Sequence, residues 1–135
     1  MMSTTFFAPA ERISGDELQS QMDFVSQNPV MTSMLSIVGG LLAVLNEQRQ
    51  LLALNQKLLQ KIGVIDPAEV LGLRPGEALQ CVFAEQAPAG CGTGRMCASC
   101  GAAIAIVTSL AKNKPVERMC ALKANQGESI VDLFL

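Results

Sequence analysis

Three cysteines within ten residues constrain this chain more than any other feature of its sequence. The segment 90–101 contains Cys91, Cys97 and Cys100 together with four glycines. Nineteen residues separate Cys100 from Cys120. Glycines let backbone N–H groups approach sulfur atoms closely, an arrangement that soft metal centres use. The segment therefore predicts either a thiolate-ligated centre or a redox switch.

The cysteine count and the size of the chain argue against a secreted disulfide framework. Five cysteines are an odd number, and a chain of 135 residues of which 50% are hydrophobic can build a core without disulfides. No charged and then apolar export signal opens the sequence. We therefore expect a reducing, cytoplasmic setting.

Composition excludes several function classes. The chain has no histidine, so histidine-dependent nucleophile pairs, Cys2His2 zinc fingers and phosphoacceptor histidines are ruled out. A formal charge of −2 gives no electrostatic footprint for nucleic acid. The longest apolar stretch, residues 30–45, is too short and too polar to span a bilayer. We expect no enzyme, no nucleic-acid partner and no membrane insertion.

The first 38 residues predict an arm followed by two helical segments. Residues 1–13 show no period, which is typical of a flexible arm. Ser14 and Glu17 form a capping-box pattern at the start of a helical extension over 14–38, with a joint at Pro29. The Met-rich apolar stripe of this extension either packs on its own domain or pairs with a second copy. The partner that we expect is that second copy, in a homodimer through these helices.

The patterns that follow predict an α+β domain. Two short apolar runs, 41–45 and 51–54, favour a β-hairpin, although their leucines and alanines suit a helix equally. Asn55 is placed to cap a short helix that Gly63 ends. The remaining predicted elements are a turn at Asp66-Pro67, a helical turn at 73–77 that leads to Cys81, a helix from Cys97 to Asn113, and strands over 116–123 and 129–135.

The predicted helix after the cysteine segment gives its thiols a favourable electrostatic position. Cys97 and Cys100 stand one turn apart at its start, where the positive end of the helix dipole favours thiolate. Cys91 lies on the preceding loop and Cys120 on the following strand. Loop, helix and strand could therefore bring four sulfur atoms to one centre.

Several segments resemble a PAS domain. The runs Gly40–Glu47, Gln50–Asn55 and Leu58–Gly63 are similar to its first strand, its second strand and a short helix. The run Leu71–Leu79 and the cysteine segment 90–102 are similar to a cysteine-rich subset of PAS domains, found in front of bacterial histidine kinases and related signalling outputs. The resemblance begins near Ser36 and extends to the end of the chain.

The resemblance implies a fold and a function. The fold is a PAS-like antiparallel sheet with flanking short helices over residues 39–135, preceded by the helical extension, and without the final strand of the five-stranded sheet. The function is that of a sensory module in two-component signal transduction, whose output domain or partner protein lies outside this chain. Cysteines like Cys81 and Cys120 recur in the subset.

Three chemistries compete for the cysteine site. An iron–sulfur cluster on Cys91, Cys97, Cys100 and Cys120 is favoured over a structural zinc in an interaction module and over a cofactor-free thiol switch. The spacing of the first three cysteines also resembles the cluster loop of adrenodoxin-type [2Fe–2S] ferredoxins, which makes an electron carrier the alternative function. For Cys81, burial as an apolar residue is favoured over metal ligation.

Overall fold

The computed structural model describes Ala8 and residues 10–81, 90–93, 97 and 100–118 with their side chains, and the backbone of 121–126 and 129–134. The chain divides into two compact units. One is Glu11–Leu73, which we call the hairpin unit, and the other joins Met1–Ala10 to Arg74–Leu135, which we call the cysteine unit. The boundaries predicted from the sequence, 1–13, 14–38 and 39–135, stay a prediction.

Two helices open the hairpin unit. Helix α1 spans Gly15–Gln27 and helix α2 spans Pro29–Ile37. Between them the Asn28 side chain accepts hydrogen bonds from the Val30 and Met31 N–H groups at 3.0 and 3.2 Å, and so caps α2. The predicted joint is therefore confirmed. Ser14 precedes α1 as predicted, but its side chain makes no capping hydrogen bond, so the capping box does not form.

Helix α2 exposes its apolar face. None of its residues is buried, and Val30, Met34 and Ile37 are 68%, 49% and 79% exposed. Their spacing of four and three residues places these side chains on one side of the helix. No helix within the described residues is long and apolar enough to cross a membrane.

The predicted β-hairpin is confirmed. Strand β1, Ala43–Leu45, pairs antiparallel with strand β2, Leu51–Leu54, and helix α1 packs against β2. Leu51 and Leu52 are buried, and Val25 of α1 is buried too. The core of this unit therefore lies between the hairpin and α1, where apolar burial stabilises the pairing.

A buried glutamine joins three segments of the hairpin unit. Gln50 is 2% exposed, and its side-chain nitrogen donates to the Ile13 and Gly72 carbonyls at 2.9 and 3.1 Å. Its side-chain oxygen accepts from the Ile13 N–H at 3.0 Å and from the Asn46 side chain at 3.2 Å. All of its polar atoms are thus paired, which is what a buried amide requires.

Helix α3 begins and ends as the sequence predicts. It spans Gln56–Ile62, with Asn55 accepting from the Leu58 N–H at 3.1 Å and Gly63 in the left-handed conformation at its end. Asn55 also accepts from the Leu42 N–H at 3.2 Å and donates to the Gly40 carbonyl at 2.7 Å. The cap therefore also fixes the segment that leads into β1.

Within its described residues, the cysteine unit contains two helices and a second hairpin. Helix α4 spans Pro75–Ala78, helix α5 spans Gly101–Lys112, and strands β3, Ala121–Gln126, and β4, Ser129–Phe134, pair antiparallel. Residues 116–118, the first part of the predicted strand 116–123, are not in a strand, and β3 spans Ala121–Gln126.

Helices and antiparallel strands together make this an α+β chain, as predicted. In the described ranges each hairpin is a two-stranded sheet. The PAS-like arrangement stays a prediction.

Replacement of Asn55 by alanine should destabilise the protein more than replacement of Asn28. Asn55 is 4% exposed and makes three hydrogen bonds, whereas Asn28 caps an exposed helix. We expect Asn55→Ala to lower the free energy of unfolding by about 2–3 kcal/mol and Asn28→Ala by about 1 kcal/mol. Urea unfolding followed by circular dichroism measures both values, and equal losses would contradict the structural role assigned to Asn55.

Candidate functional site

Cys91 lies in a tight turn over residues 90–93. The Gly90 carbonyl accepts from the Thr93 N–H at 3.3 Å and from the Thr93 hydroxyl at 2.7 Å, which closes the turn around Cys91. Gly90 and Gly92 have φ values of 89° and 86°, in the left-handed region that glycine adopts without strain. The alternation of glycine with cysteine therefore serves the backbone of this turn.

Residues at the start of α4 hold Cys91 at three atoms. The Cys91 N–H donates to Glu77 Oε2 at 3.2 Å, and the Cys91 carbonyl accepts from Arg74 Nη1 at 3.4 Å. The Cys91 Sγ accepts from the Gly76 N–H at 3.2 Å. The backbone on both sides of the Cys91 side chain, and the sulfur itself, are thus fixed by one short helix.

Glu77 and Arg74 also support that helix and the arm that precedes it. Glu77 Oε1 accepts from the Arg74 N–H at 2.9 Å, which satisfies a donor at the N-terminus of α4. Arg74 is 0% exposed, and its Nη2 donates to the Ala10 carbonyl at 3.2 Å. A guanidinium stays charged at any physiological pH, so a full positive charge is buried beside the Cys91 turn.

Cys81, like Cys91, lies close to Gly76. A β-carbon at position 76 would lie 2.7 Å from Cys91 Sγ, 3.3 Å from Cys91 Cβ and 3.5 Å from Cys81 Cβ. Cys81 is held there because its N–H donates to the Gly76 carbonyl at 2.7 Å. Two cysteines therefore approach one glycine, and a side chain at that position would displace the Cys91 sulfur.

Helix α5 begins at Gly101, four residues after the predicted start at Cys97, so Cys97 and Cys100 lie just before its first turn. Cys100 is the N-cap of α5, its N–H donates to the Cys97 carbonyl at 3.1 Å, and its own carbonyl accepts from the Ile104 N–H at 2.9 Å. Cys97 is 7% exposed. The two residues are thus joined by a backbone turn at the start of the helix.

The surroundings of Cys91 favour its protonated form. Burial raises the pKa of the Cys91 thiol from 9.0 to about 11, and the Gly76 N–H acts in the opposite direction because it stabilises the thiolate. The neighbouring Cys97, Glu77 and Cys81 contribute to the raised pKa of Cys91 in the same direction as burial, because negative charge near the sulfur disfavours its thiolate.

The predicted ligand set is only partly within the described residues. No disulfide joins the four described cysteines, Cys81, Cys91, Cys97 and Cys100. Within the described ranges no three cysteine, aspartate or glutamate side chains are already grouped as a metal site. The predicted fourth ligand, Cys120, lies outside the described residues.

The sequence interpretation missed one part of this site, since it gave Arg74 and Glu77 no function beyond a turn. Its preference for Cys81 as an apolar residue stays a prediction. The Pro75-Gly76 pair five residues before Cys81 was an available signal, because glycine after a first-turn proline permits close approach by another chain segment. The burial of Arg74 leaves no signal in the local sequence.

Comparisons of this chain with protein-family models, with curated proteins and with solved structures find no match.

Alkylation of Cys91 by iodoacetamide should accelerate steeply with pH in the folded protein. Because thiolate is the reactive form, a pKa of about 11 predicts a rate that rises about tenfold per pH unit between pH 7 and 10. The unfolded chain in guanidinium is the control, and its rate should level off above pH 9.0. Mass spectrometry of the Cys91 peptide measures both profiles, and a plateau below pH 9 in the folded protein would contradict the burial of this thiol.

The raised pKa of Cys91 also determines how the stability of the folded protein changes with pH. Since the folded-state pKa lies above the unfolded one, the stabilisation by protonated Cys91 is intact below pH 9 and is lost as the pH rises to about 11.

Proposed function

We propose that this chain is a sensory module of bacterial signal transduction, in which a cysteine-held centre receives a redox, oxygen or metal signal. Cys91, Cys97, Cys100 and Cys120 hold the centre, and Cys81 stands beside it. The module works in the cytoplasm, where thiols are kept reduced, and it passes its signal to an output domain or partner protein. It performs no catalysis of its own.

The environment of the Cys91 sulfur is the observation that carries this proposal. This sulfur accepts the Gly76 N–H at 3.2 Å and lies within electrostatic reach of two further thiols, those of Cys97 and Cys81. A backbone N–H directed at sulfur stabilises the thiolate, and soft metal centres use the same contact. Neighbouring thiolates repel one another, so a bound cation or cluster is the group that would stabilise them together.

The residues fit an iron–sulfur cluster in donor type and in backbone approach. The candidate donors are sulfur atoms, and the absence of a side chain at Gly76 leaves the Cys91 sulfur room that a β-carbon would occupy. Cys91, Cys97, Cys100 and Cys120 would hold the cluster, which would supply one-electron redox chemistry. Arg74 and Glu77 hold the backbone of Cys91, and they orient this ligand whether or not a cluster is bound.

A cofactor-free thiol switch is the second candidate, and two observations favour it. Within the described residues, no three potential metal ligands are grouped together. The Cys91 Sγ and the Cys81 Cβ lie 2.7 and 3.5 Å from the position that a β-carbon on residue 76 would occupy. Oxidation of these two thiols to a disulfide would release two electrons and two protons to an oxidant such as hydrogen peroxide, which is reduced to two water molecules. Zinc binding and ferredoxin-like electron transfer are further outcomes of the experiment below.

Anaerobic purification of the full chain should yield a coloured protein that contains iron and acid-labile sulfide. Replacement Cys91→Ser should lower both contents together at least about tenfold, because loss of a ligand costs more than the loss of a supporting contact. Elemental analysis, sulfide assay and visible absorbance measure the contents, and circular dichroism checks that the variant is folded. Zinc without sulfide, or a colourless metal-free protein with peroxide-sensitive thiols, would each reject the cluster.

Dimerisation is part of the proposed function, since a sensor needs a way to transmit its state. The exposed apolar face of α2 offers the surface, and residues 24–46 carry no charge. A contact between two copies related by a two-fold axis would therefore bring no like charges together along this face. The absence of charge also gives this face no electrostatic means of selecting a charged partner.

Ile37→Lys should weaken the dimer, and Ile65→Lys should not. Ile37 lies on α2 and is 79% exposed, whereas Ile65 lies outside that helix and is 98% exposed. A lysine trapped in an apolar contact is an unpaired charge, so we expect the dissociation constant to rise at least about 100-fold. Analytical ultracentrifugation over a concentration series measures it. Equal behaviour of both variants would reject α2 as the interface.

A further inference from the structure

Two hydrogen bonds fasten the N-terminal arm to the Cys91 turn and its support. The Ala8 N–H donates to the Gly92 carbonyl at 2.9 Å, and Arg74 Nη2 donates to the Ala10 carbonyl at 3.2 Å. Ala8 is 0% exposed. The described part of the arm is therefore bound where the candidate site is built.

The guanidinium group of Arg74 binds both the N-terminal arm and the Cys91 turn. One nitrogen of its guanidinium donates to the Ala10 carbonyl and another donates to the Cys91 carbonyl. The guanidinium is planar and rigid, so its two donors cannot move independently. A displacement of the Cys91 backbone would therefore also displace the Arg74 guanidinium, which binds the Ala10 carbonyl.

Gly92 supplies the second connection. It follows Cys91 directly, and its carbonyl is the acceptor for the Ala8 N–H. The left-handed conformations of Gly90 and Gly92, and the Thr93 contacts to Gly90, make the turn 90–93 a single closed loop. A displacement of the Cys91 backbone would therefore change the position of both carbonyl acceptors, that of Gly92, which binds the arm, and that of Cys91, which binds Arg74.

We propose that Ala8 and Ala10 form a latch whose attachment depends on the position of Cys91. The chain continues from this latch directly into Glu11, the first residue of the hairpin unit, and then into α1. Its use in sensing rests on the proposed function, whereas the coupling itself rests only on the contacts described here. Because coupling between two sites is reciprocal, release of the latch must also alter the environment of Cys91.

The glycine at position 76 provides the means to move Cys91 without touching the latch. In Gly76→Ala the new β-carbon would stand 2.7 Å from Cys91 Sγ, so the sulfur must shift. Gly39→Ala is the matched control, because a β-carbon there meets nothing within 4 Å. The readout is the hydrogen-exchange rate of the Ala8 amide in the reduced, chelator-treated full chain, measured by ¹⁵N NMR.

We expect Gly76→Ala to accelerate exchange at Ala8 by about 3- to 10-fold, the effect of losing one hydrogen bond, and Gly39→Ala to leave it unchanged. The double variant Gly76→Ala/Cys91→Ala removes the colliding sulfur. Its Ala8 exchange should return to that of Cys91→Ala alone. Unchanged exchange in Gly76→Ala, in a protein whose Cys91 resonances have shifted, would overturn the latch.

A reverse experiment covers the case in which Gly76→Ala does not fold. Ala8→Pro removes the N–H that binds Gly92, and it should raise the rate of Cys91 alkylation at pH 8 by about 3- to 10-fold. An alkylation rate equal to that of the unmodified chain would overturn the inference. Both experiments use metal-free protein, so they remain decisive even if the iron and sulfide analysis rejects the cluster.

Discussion

The attachment of Cys91 to the first turn of α4 is the constraint on which the candidate site depends. Arg74, Gly76 and Glu77 are nearly consecutive, yet they bind the carbonyl, the sulfur and the N–H of a residue fourteen or more positions away. Each contact pairs a donor with an acceptor in a partly buried setting, where an unsatisfied polar group is costly. These three contacts fix the position of the Cys91 thiol, and the neighbouring cysteines are placed relative to it.

Opposing effects act on the protonation of the Cys91 thiol. Burial and the neighbouring acidic groups favour the neutral form, while the Gly76 N–H favours the thiolate. A cation, a cluster or an oxidant would shift the balance, because each changes the charge on sulfur. The turn 90–93 that carries this thiol also binds the described part of the N-terminal arm.

Both units use buried polar side chains as links between distant segments. Gln50 joins Ile13, Asn46 and Gly72 in the hairpin unit, and Arg74 joins Ala10 to Cys91 in the cysteine unit. Such links require partners of the correct geometry at every polar atom, so they favour one arrangement of the chain over other compact ones. Apolar burial supplies the stability, and these groups determine which segments meet.

The sequence by itself determined the local elements: the hairpin, the joint at Pro29, the Asn55 cap, the left-handed Gly63 and the position of Cys97 and Cys100 near the start of a helix. These follow from interactions between residues at most a few positions apart, or across one short loop. Only the tertiary structure decided that the Cys91 sulfur binds the Gly76 N–H, that Arg74 is buried, and that Ala8 binds Gly92. Those contacts join residues far apart in the chain, and no local propensity encodes which distant partner satisfies a buried polar group.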